Sequence, residues 1–150
     1  MVTKIPNTDI VAYLDKFRLT FPDDESCIQL LATQKWKKGF ECTKCGNTNY
    51  CMGKEETSRR CTRCKKYESA TANTVFHHCK FSIRKAFEIV ILNCQTTAIS
   101  SYKISDILDL RHMTCYSFQK KVSECQMGRK GSGLLKELIQ EIDKRILDHK

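Results

Sequence analysis

Two pairs of cysteines have the types and spacing of metal ligands. Two residues separate Cys42 from Cys45, two separate Cys61 from Cys64, and fifteen residues lie between the pairs. Four thiolates hold Zn²⁺ in a tetrahedron in structural sites, and this spacing falls in the range of four-cysteine zinc sites. The sequence therefore predicts one structural Zn²⁺, bound by all four cysteines and without an open coordination position for catalysis.

Two disulfides, or four buried free thiols, are the alternatives for these cysteines. The N-terminus has no charged segment followed by an apolar run, which is the pattern of a signal peptide. Disulfides are rare in reducing compartments, so we favour the metal site and expect a cytoplasmic protein, associated with the nucleoid if it is bacterial. The other cysteines have no pairing signature, and most are expected to be small buried hydrophobes. They are Cys27, Cys51, Cys79, Cys94, Cys115 and Cys125.

Positive charge is concentrated in the middle of the chain. The formal net charge is +9, and residues 27–80 alone carry eleven basic and four acidic side chains. Residues 81–133 carry eight and four, whereas residues 1–26 are net acidic and residues 134–150 are neutral. Such a distribution favours a polyanionic partner. A solvated basic face without a partner is the alternative. The longest apolar run, residues 89–92, is far too short to cross a membrane, so no membrane partner is expected.

Two helices are predicted before the cysteine site. Residues 7–19 carry Ile10, Leu14 and Phe17 at helical spacing. A second helix is expected to begin near Pro22, because acidic residues follow it directly and suit the first turn of a helix.

Short strands are predicted around the second half of the cysteine site. Residues 49–52 and 58–61 flank a polar turn, and a third strand is expected at 67–69. Strands and cysteines together make a zinc ribbon, which is too small to bury a core of its own. The metal is therefore expected to supply most of its folding free energy, on the order of 10 kcal/mol.

Three helical segments are predicted after the ribbon. Residues 81–95 are strongly apolar and are expected at the centre of a helical core. Residues 101–109 and 114–127 follow, with a break at 110–113, which is a helix-turn-helix arrangement. Polar groups near the start of the last helix suit recognition of the DNA major groove, although any three-helix bundle has a polar face. Those off its core stripe are Thr114, Tyr116, Ser117, Gln119, Lys120 and Lys121.

The sequence thus predicts an α+β protein, mostly helical, with a small four-cysteine zinc ribbon between N-terminal helices and a helix-turn-helix. The expected segments are the N-terminal helices (1–36), the zinc ribbon (37–80), the helix-turn-helix region (81–128), a linker (129–133) and a C-terminal amphipathic helix (134–150). The last helix has an apolar stripe without a partner in its own segment. It is expected either to fold back on the core or to pair with another copy as a homodimer.

This set of features resembles the N-terminal region of bacterial insertion-sequence transposases, which carry a zinc ribbon followed by a helix-turn-helix. The resemblance covers about residues 20–127. Its matching residues are Phe21-Pro22-Asp23-Asp24, Cys27, Leu31, Lys35-Trp36, Gly39-Phe40, Cys42-Thr43-Lys44-Cys45-Gly46, Arg60-Cys61-Thr62-Arg63-Cys64, Ser69, Thr74-Val75-Phe76, Ile83-Arg84-Lys85-Ala86-Phe87 and the region 101–127. The resemblance implies a role in binding DNA at transposon ends.

In that family a catalytic domain of the DDE type follows the helix-turn-helix. Here a linker and one helix follow, and the acidic residues of that helix alternate with lysine and arginine. Thr43 also stands where the family usually has proline. We therefore expect no catalytic residues and no strand transfer by this chain. A catalytic half supplied by another polypeptide is the alternative.

The function predicted from the sequence is a zinc-dependent DNA-binding module of a transposase-like protein, with double-stranded DNA as its partner. Basic residues of the ribbon are expected to hold phosphates, and residues of the last helix of the helix-turn-helix to face bases and phosphates. The first group is Arg59, Arg60, Arg63, Lys65 and Lys66, and the second is Tyr116, Ser117, Lys120 and Lys121. The alternative function is a zinc-ribbon adaptor for protein interactions, or a transcriptional regulator.

Overall fold

The computed structural model describes residues 9–72, 74–77, 79–95, 99–126 and 132–148. These residues form a mostly helical α+β structure with one small sheet, as the sequence predicts. In chain order the elements are α1 (Ile10–Thr20), α2 (Asp24–Lys35), β1 (Tyr50–Met52), β2 (Arg59–Cys61), β3 (Tyr67–Glu68), α3 (Ile83–Gln95), α4 (Ser101–Leu108), α5 (His112–Gln126) and α6 (Ser132–Asp148).

Acidic residues fix the starts of two helices. The Asp23 carboxylate accepts a hydrogen bond from the Ser26 backbone N–H at 2.9 Å and so caps α2. The next carboxylate, that of Asp24, accepts from Ser82 Oγ at 2.6 Å and from the Arg84 N–H at 3.1 Å. Because these donors lie at the first turn of α3, Asp24 satisfies that helix end from a different element.

The sheet is antiparallel, with strand order β1-β2-β3. Tyr50 pairs with Cys61, so the β1–β2 hairpin returns the chain to the second cysteine pair. Gly53 lies at the end of β1, where a Cβ atom would collide with Ser58 and with the ring of Tyr67. The hairpin thus requires glycine at this position so that β3 can pack against the turn.

One hydrophobic core joins all six helices of the described residues. Phe76, from the turn before α3, stacks its ring 4.8 Å from that of Phe87 and 6.0 Å from that of Phe118. The apolar face of α3 is central to this core, as predicted, and its fully buried members include Phe87, Ile89, Ile91 and Leu92. A buried carboxylate on the same helix, Glu88, accepts from Arg18 Nε of α1 at 2.7 Å.

Helix α6 folds back on the core of its own chain and packs against α1, α2 and α5. Its predicted apolar stripe is buried there, and it consists of Leu135, Leu138, Ile139, Ile142 and Ile146. Tyr13 Oη of α1 also donates a hydrogen bond to the Asp143 carboxylate. A homodimer through α6 stays a prediction, and it would have to use the outward face of this helix.

Several helix boundaries differ from those predicted. Helix α3 begins at Ile83, after the serine that Asp24 contacts, and α5 begins at His112, so the break before it is shorter than predicted. Helix α6 begins at Ser132, inside the predicted linker. The predicted start of the first helix at residues 7–8 and most of that linker lie outside the described residues. In the part of the chain that the structure describes, the helices are too short or too polar to span a lipid bilayer.

Candidate metal centre and nucleic-acid interface

The two cysteine pairs lie in two turns of the same shape. In the first turn, Gly46 N–H donates to the Cys42 carbonyl at 2.9 Å, and in the second, Lys65 N–H donates to the Cys61 carbonyl at 3.1 Å. Gly46 has a φ of 76° and Lys65 a φ of 66°. Each turn therefore places a left-handed residue directly after its second cysteine, which lets the chain leave the site. The positive φ of Gly46 follows from the sequence, whereas nothing in the sequence predicts that of Lys65.

The four sulfurs are close enough to share one metal ion. The Sγ atoms of Cys42 and Cys64 are 3.5 Å apart, as are those of Cys45 and Cys61. All four lie within 4.8 Å of one another, and none is in a disulfide. Sulfurs at the corners of a tetrahedron around zinc, each with a Zn–S bond of about 2.3 Å, lie about 3.8 Å from one another. The predicted ligand set is thus brought together at the spacing that one Zn²⁺ requires.

N–H groups of the two turns are directed at the sulfurs. Lys44 N–H donates to Cys42 Sγ and Arg63 N–H donates to Cys61 Sγ, each at 3.4 Å. The side-chain amide of Asn47 donates to Cys61 Sγ at 3.4 Å as well. Such donors favour the charged thiolate, which is the form that binds a metal. Asn47 was not singled out by the sequence, because no spacing rule marks the groups that surround metal ligands.

The thiols of the cluster differ in pKa. Burial would raise the pKa of Cys61, but the N–H groups of Cys64, Asn47 and Arg63 outweigh it and lower that pKa to about 5. At Cys45 the backbone N–H of Asn47 favours the thiolate, yet burial and the neighbouring sulfurs raise the pKa to about 11. A metal-free cluster at neutral pH thus keeps a proton among its sulfurs, and zinc binding displaces it.

A small second core supports the metal centre. Phe40, Cys42 and Cys61 are buried together, and Trp36, from the end of α2, packs against them. The ring of Tyr50 on β1 lies 5.4 Å from that of Phe40. This cluster is separate from the helical core, so the ribbon depends on the metal for much of its stability.

The Arg59 side chain makes its contacts within the protein itself. Its guanidinium lies 4.8 Å from the ring centre of Trp36 and 4.8 Å from that of Tyr50, between the two rings. Its Nη1 donates to the carbonyls of Glu56 and Ser58 at 3.1 Å. Arg59 was predicted to hold a DNA phosphate, and the structure places it half-buried between α2 and the hairpin.

A buried ion pair joins the ribbon to α2. Lys35 Nζ lies 2.7 Å from Glu68 Oε2, and these two side chains are only 10% and 8% exposed. The same ammonium donates to the carbonyls of Ser69 at 2.9 Å and Ala72 at 2.6 Å. Burial lowers the pKa of Lys35, against the opposing effect of the Glu68 carboxylate. Three acceptors for three N–H bonds satisfy the buried ammonium fully.

The other predicted phosphate-binding residues of the ribbon are exposed. Arg60, Arg63, Lys65 and Lys66 all lie at its surface. Lys65 Nζ donates to the Thr62 carbonyl at 2.9 Å, and Lys66 Nζ donates to Thr43 Oγ1 at 2.8 Å. Both are short contacts at an exposed surface, where water or a phosphate oxygen competes for the ammonium.

On α5 the four predicted contact residues, Tyr116, Ser117, Lys120 and Lys121, are exposed together. Lys121 Nζ also donates to the His77 carbonyl at 3.2 Å. Gln119 was predicted to lie off the core stripe, but the structure turns its amide inward.

The inward contacts of Gln119 are long-range. Its Nε2 donates to Asn93 Oδ1 at 3.0 Å and to the Ile99 carbonyl at 2.9 Å, both in preceding segments. Gln119 therefore positions α5 against α3, and the outer polar face of the helix is narrower than predicted.

Among the described residues, the four-cysteine cluster is the only group of three or more His, Cys, Asp or Glu side chains placed to hold a metal ion. Residues 22–67 match the family model of the transposase zinc-ribbon domain. The match begins two residues before α2 and ends in β3. It therefore includes α2, whose end contacts the ribbon through Lys35 and Trp36. No curated protein and no solved structure matches the chain. Over residues 22–67, therefore, the chain is similar to the zinc-ribbon domain of transposases, and all four candidate ligands lie within the match.

Proposed function

We propose that this zinc-binding, transposase-related chain is a DNA-binding module that recognises transposon-end or related double-stranded DNA. The observation that carries the proposal is the exposed face of α5. Tyr116, Ser117, Lys120 and Lys121 are presented together on the second and third turns of that helix, which begins at His112. Hydroxyl and ammonium groups on an exposed helix face suit the base edges and phosphates of the major groove.

The connection before α5 supports a helix-turn-helix docking mode. Helix α4 ends at Leu108, Asp109 takes a left-handed conformation with φ 54°, and α5 begins at His112. A turn of this length joins the two helices of helix-turn-helix domains. In such a mode α4 crosses the DNA backbone while the start of α5 enters the groove.

The ribbon supplies the second part of the proposed interface. Arg60, Arg63, Lys65 and Lys66 are exposed cations around the second cysteine turn. Contacts from such side chains to phosphates fix orientation and add salt-dependent affinity without recognising sequence. The zinc ion would then act on DNA affinity indirectly, by holding this turn in shape.

The proposal is tested by the salt dependence of DNA binding. Replacement of both Lys120 and Lys121 by alanine is expected to weaken duplex binding and to reduce the slope of log K against log salt by about 2, because each lost phosphate contact removes about 0.9 from it. The matched control replaces Lys16 and Lys144, exposed lysines of α1 and α6, and should leave the slope nearly unchanged. Fluorescence anisotropy between about 50 and 200 mM salt measures both. A wild-type slope near zero would contradict the proposal.

A second candidate function is a protein-interaction adaptor. Strand β1 is an edge strand whose three residues, Tyr50, Cys51 and Met52, are all exposed. An exposed sheet edge offers unpaired backbone groups to a strand of another protein. Under this function even the chain without substitutions would show no salt-dependent binding of duplex DNA. Neither candidate assigns a catalytic step to the described residues, and strand transfer would be supplied by a separate catalytic domain.

A further inference from the structure

Two aromatic rings stack where α4 and α5 meet. The rings of Tyr102 and His112 have centroids 3.7 Å apart and planes within 10° of parallel. His112 Nε2 lies 2.8 Å from Ser101 Oγ, and Ser101 is buried at the start of α4. The histidine ring is thus held by a fixed hydroxyl, and it in turn holds the tyrosine ring.

The outer ring of this stack is open to solvent. Tyr102 is 68% exposed, although one face of its ring is covered by His112. Its other face is therefore uncovered. Two further apolar side chains nearby, Met113 and Tyr116, are also exposed, and the Tyr116 ring lies 6.3 Å from that of His112. A pre-ordered, flat aromatic surface at this place has no role in packing the core.

We propose that the free face of Tyr102 binds an unpaired nucleobase of the DNA. This inference rests on the proposed function. A base stacks on an aromatic side chain regardless of its identity, because every base has a π-face. The stack with His112 restricts the tyrosine ring before the base arrives, so little conformational freedom is lost on binding. A base inside an intact duplex cannot reach such a ring, so the ligand is an unpaired or extruded base.

Exposed cations adjoin both rings of the stack, and they suit a nucleic acid better than an apolar peptide as the occupant. Residues 101–121 carry four basic and two acidic side chains. The exposed cations include Lys103, next to Tyr102, and Arg111, next to His112. The acidic residues are Asp106 and Asp109, also exposed. A strand whose base stacks on Tyr102 would place its phosphates near the cations, as in proteins that bind single strands through stacking platforms and basic grooves.

The test uses the whole 150-residue chain and two DNA duplexes that share the same paired sequence. One duplex is fully paired, and the other carries a single bulged 2-aminopurine, whose fluorescence is quenched when it stacks. The variants are Tyr102→Ala, Tyr102→Leu and Tyr102→Phe, with Leu19→Ala as a control at an equally exposed apolar residue of α1 (69% exposed). Tyr102→Leu keeps apolar contact with His112 but lacks a ring, and Tyr102→Phe keeps the ring.

We expect wild-type protein to bind the bulged duplex more tightly than the paired one and to quench its fluorescence. Tyr102→Ala and Tyr102→Leu should weaken binding of the bulged duplex by about 5-fold to 150-fold and abolish the quenching, with no change for the paired duplex. Tyr102→Phe and Leu19→Ala should behave as wild type. Equal losses on both duplexes, or no loss on either, would overturn the inference. If the wild-type protein binds both duplexes equally, only the inference about Tyr102 is overturned. If it binds neither duplex, the proposed DNA-binding function is overturned as well.

Discussion

Replacement of Cys61 by serine is expected to abolish zinc binding and to unfold the ribbon, while the helical core stays folded. Cys61 is fully buried in the small core around the metal, and its sulfur is the acceptor of several N–H groups. Serine does not supply the soft thiolate that zinc prefers. Structural zinc contributes on the order of 10 kcal/mol to such a domain, which exceeds what the few other buried ribbon side chains can replace.

Because the ribbon and the helices have separate hydrophobic cores, unfolding of the ribbon alone is measurable in the intact protein. The chain has one tryptophan, Trp36, which packs against the ribbon core, so its fluorescence reports unfolding of the ribbon. Far-UV circular dichroism reports the helices. Cys51→Ser is the matched control, because Cys51 is an exposed cysteine of the same sheet outside the cluster. Zinc bound by Cys61→Ser with wild-type affinity would exclude this four-sulfur site.

We expect the second large effect when one partner of the buried ion pair between α2 and the ribbon is removed. Lys35→Met should reduce the free energy of unfolding by about 3–5 kcal/mol, because it leaves the Glu68 carboxylate buried without its cation. It also removes donors from the carbonyls of Ser69 and Ala72. Methionine keeps most of the lysine side-chain volume, so the loss reports the charge and its hydrogen bonds. Urea unfolding followed by Trp36 fluorescence measures it.

The double variant Lys35→Met, Glu68→Leu is the control for this prediction. Replacement of both charges by apolar side chains of similar volume removes the unpaired carboxylate, so much of the lost stability should return. Arg145→Met provides the comparison at an exposed pair, since Arg145 and Glu141 are an i,i+4 pair on the surface of α6. That change should cost less than about 1 kcal/mol. A loss of the same small size at Lys35 would contradict a structural role for the buried pair.

The metal ligands were predictable from the sequence because their chemistry depends on local spacing. A CxxC turn determines its own geometry within a few residues, so Cys42, Cys45, Cys61 and Cys64 are identified without knowledge of the fold. Local rules predicted a helix start near Pro22 as well, but they placed Asp23 in the first turn, whereas its carboxylate caps α2 through the Ser26 N–H. Local rules also predicted the apolar face of α3.

The contacts that join distant segments were not predictable in this way. Arg59 and Lys35 look like ordinary surface cations in the sequence, yet Arg59 lies between Trp36 and Tyr50, and Lys35 is buried beside Glu68. Periodicity gives the face of a helix but not which segment will cover it. For the same reason the sequence left open whether α6 folds back or pairs with another copy.

The aromatic surface of α4 and α5 illustrates the limit most clearly. Tyr102 and His112 are ten positions apart and belong to different helices, so neither helical spacing nor a known motif connects them. Their stacking depends on the left-handed turn at Asp109, which brings the starts of α4 and α5 together. This turn lacks the glycine that would have identified it in the sequence.

Zinc content together with thiol titration tests the central claim most directly. Protein purified without chelator is analysed for metal, and its thiols are then titrated after denaturation in the presence of chelator. The structure predicts one zinc per chain and ten free thiols, because all ten cysteines are free and the sulfurs of four of them lie close enough to bind one metal ion. No metal, with the four cysteines of the cluster oxidised in pairs, would contradict the zinc ribbon and with it the basis for the proposed DNA-binding function.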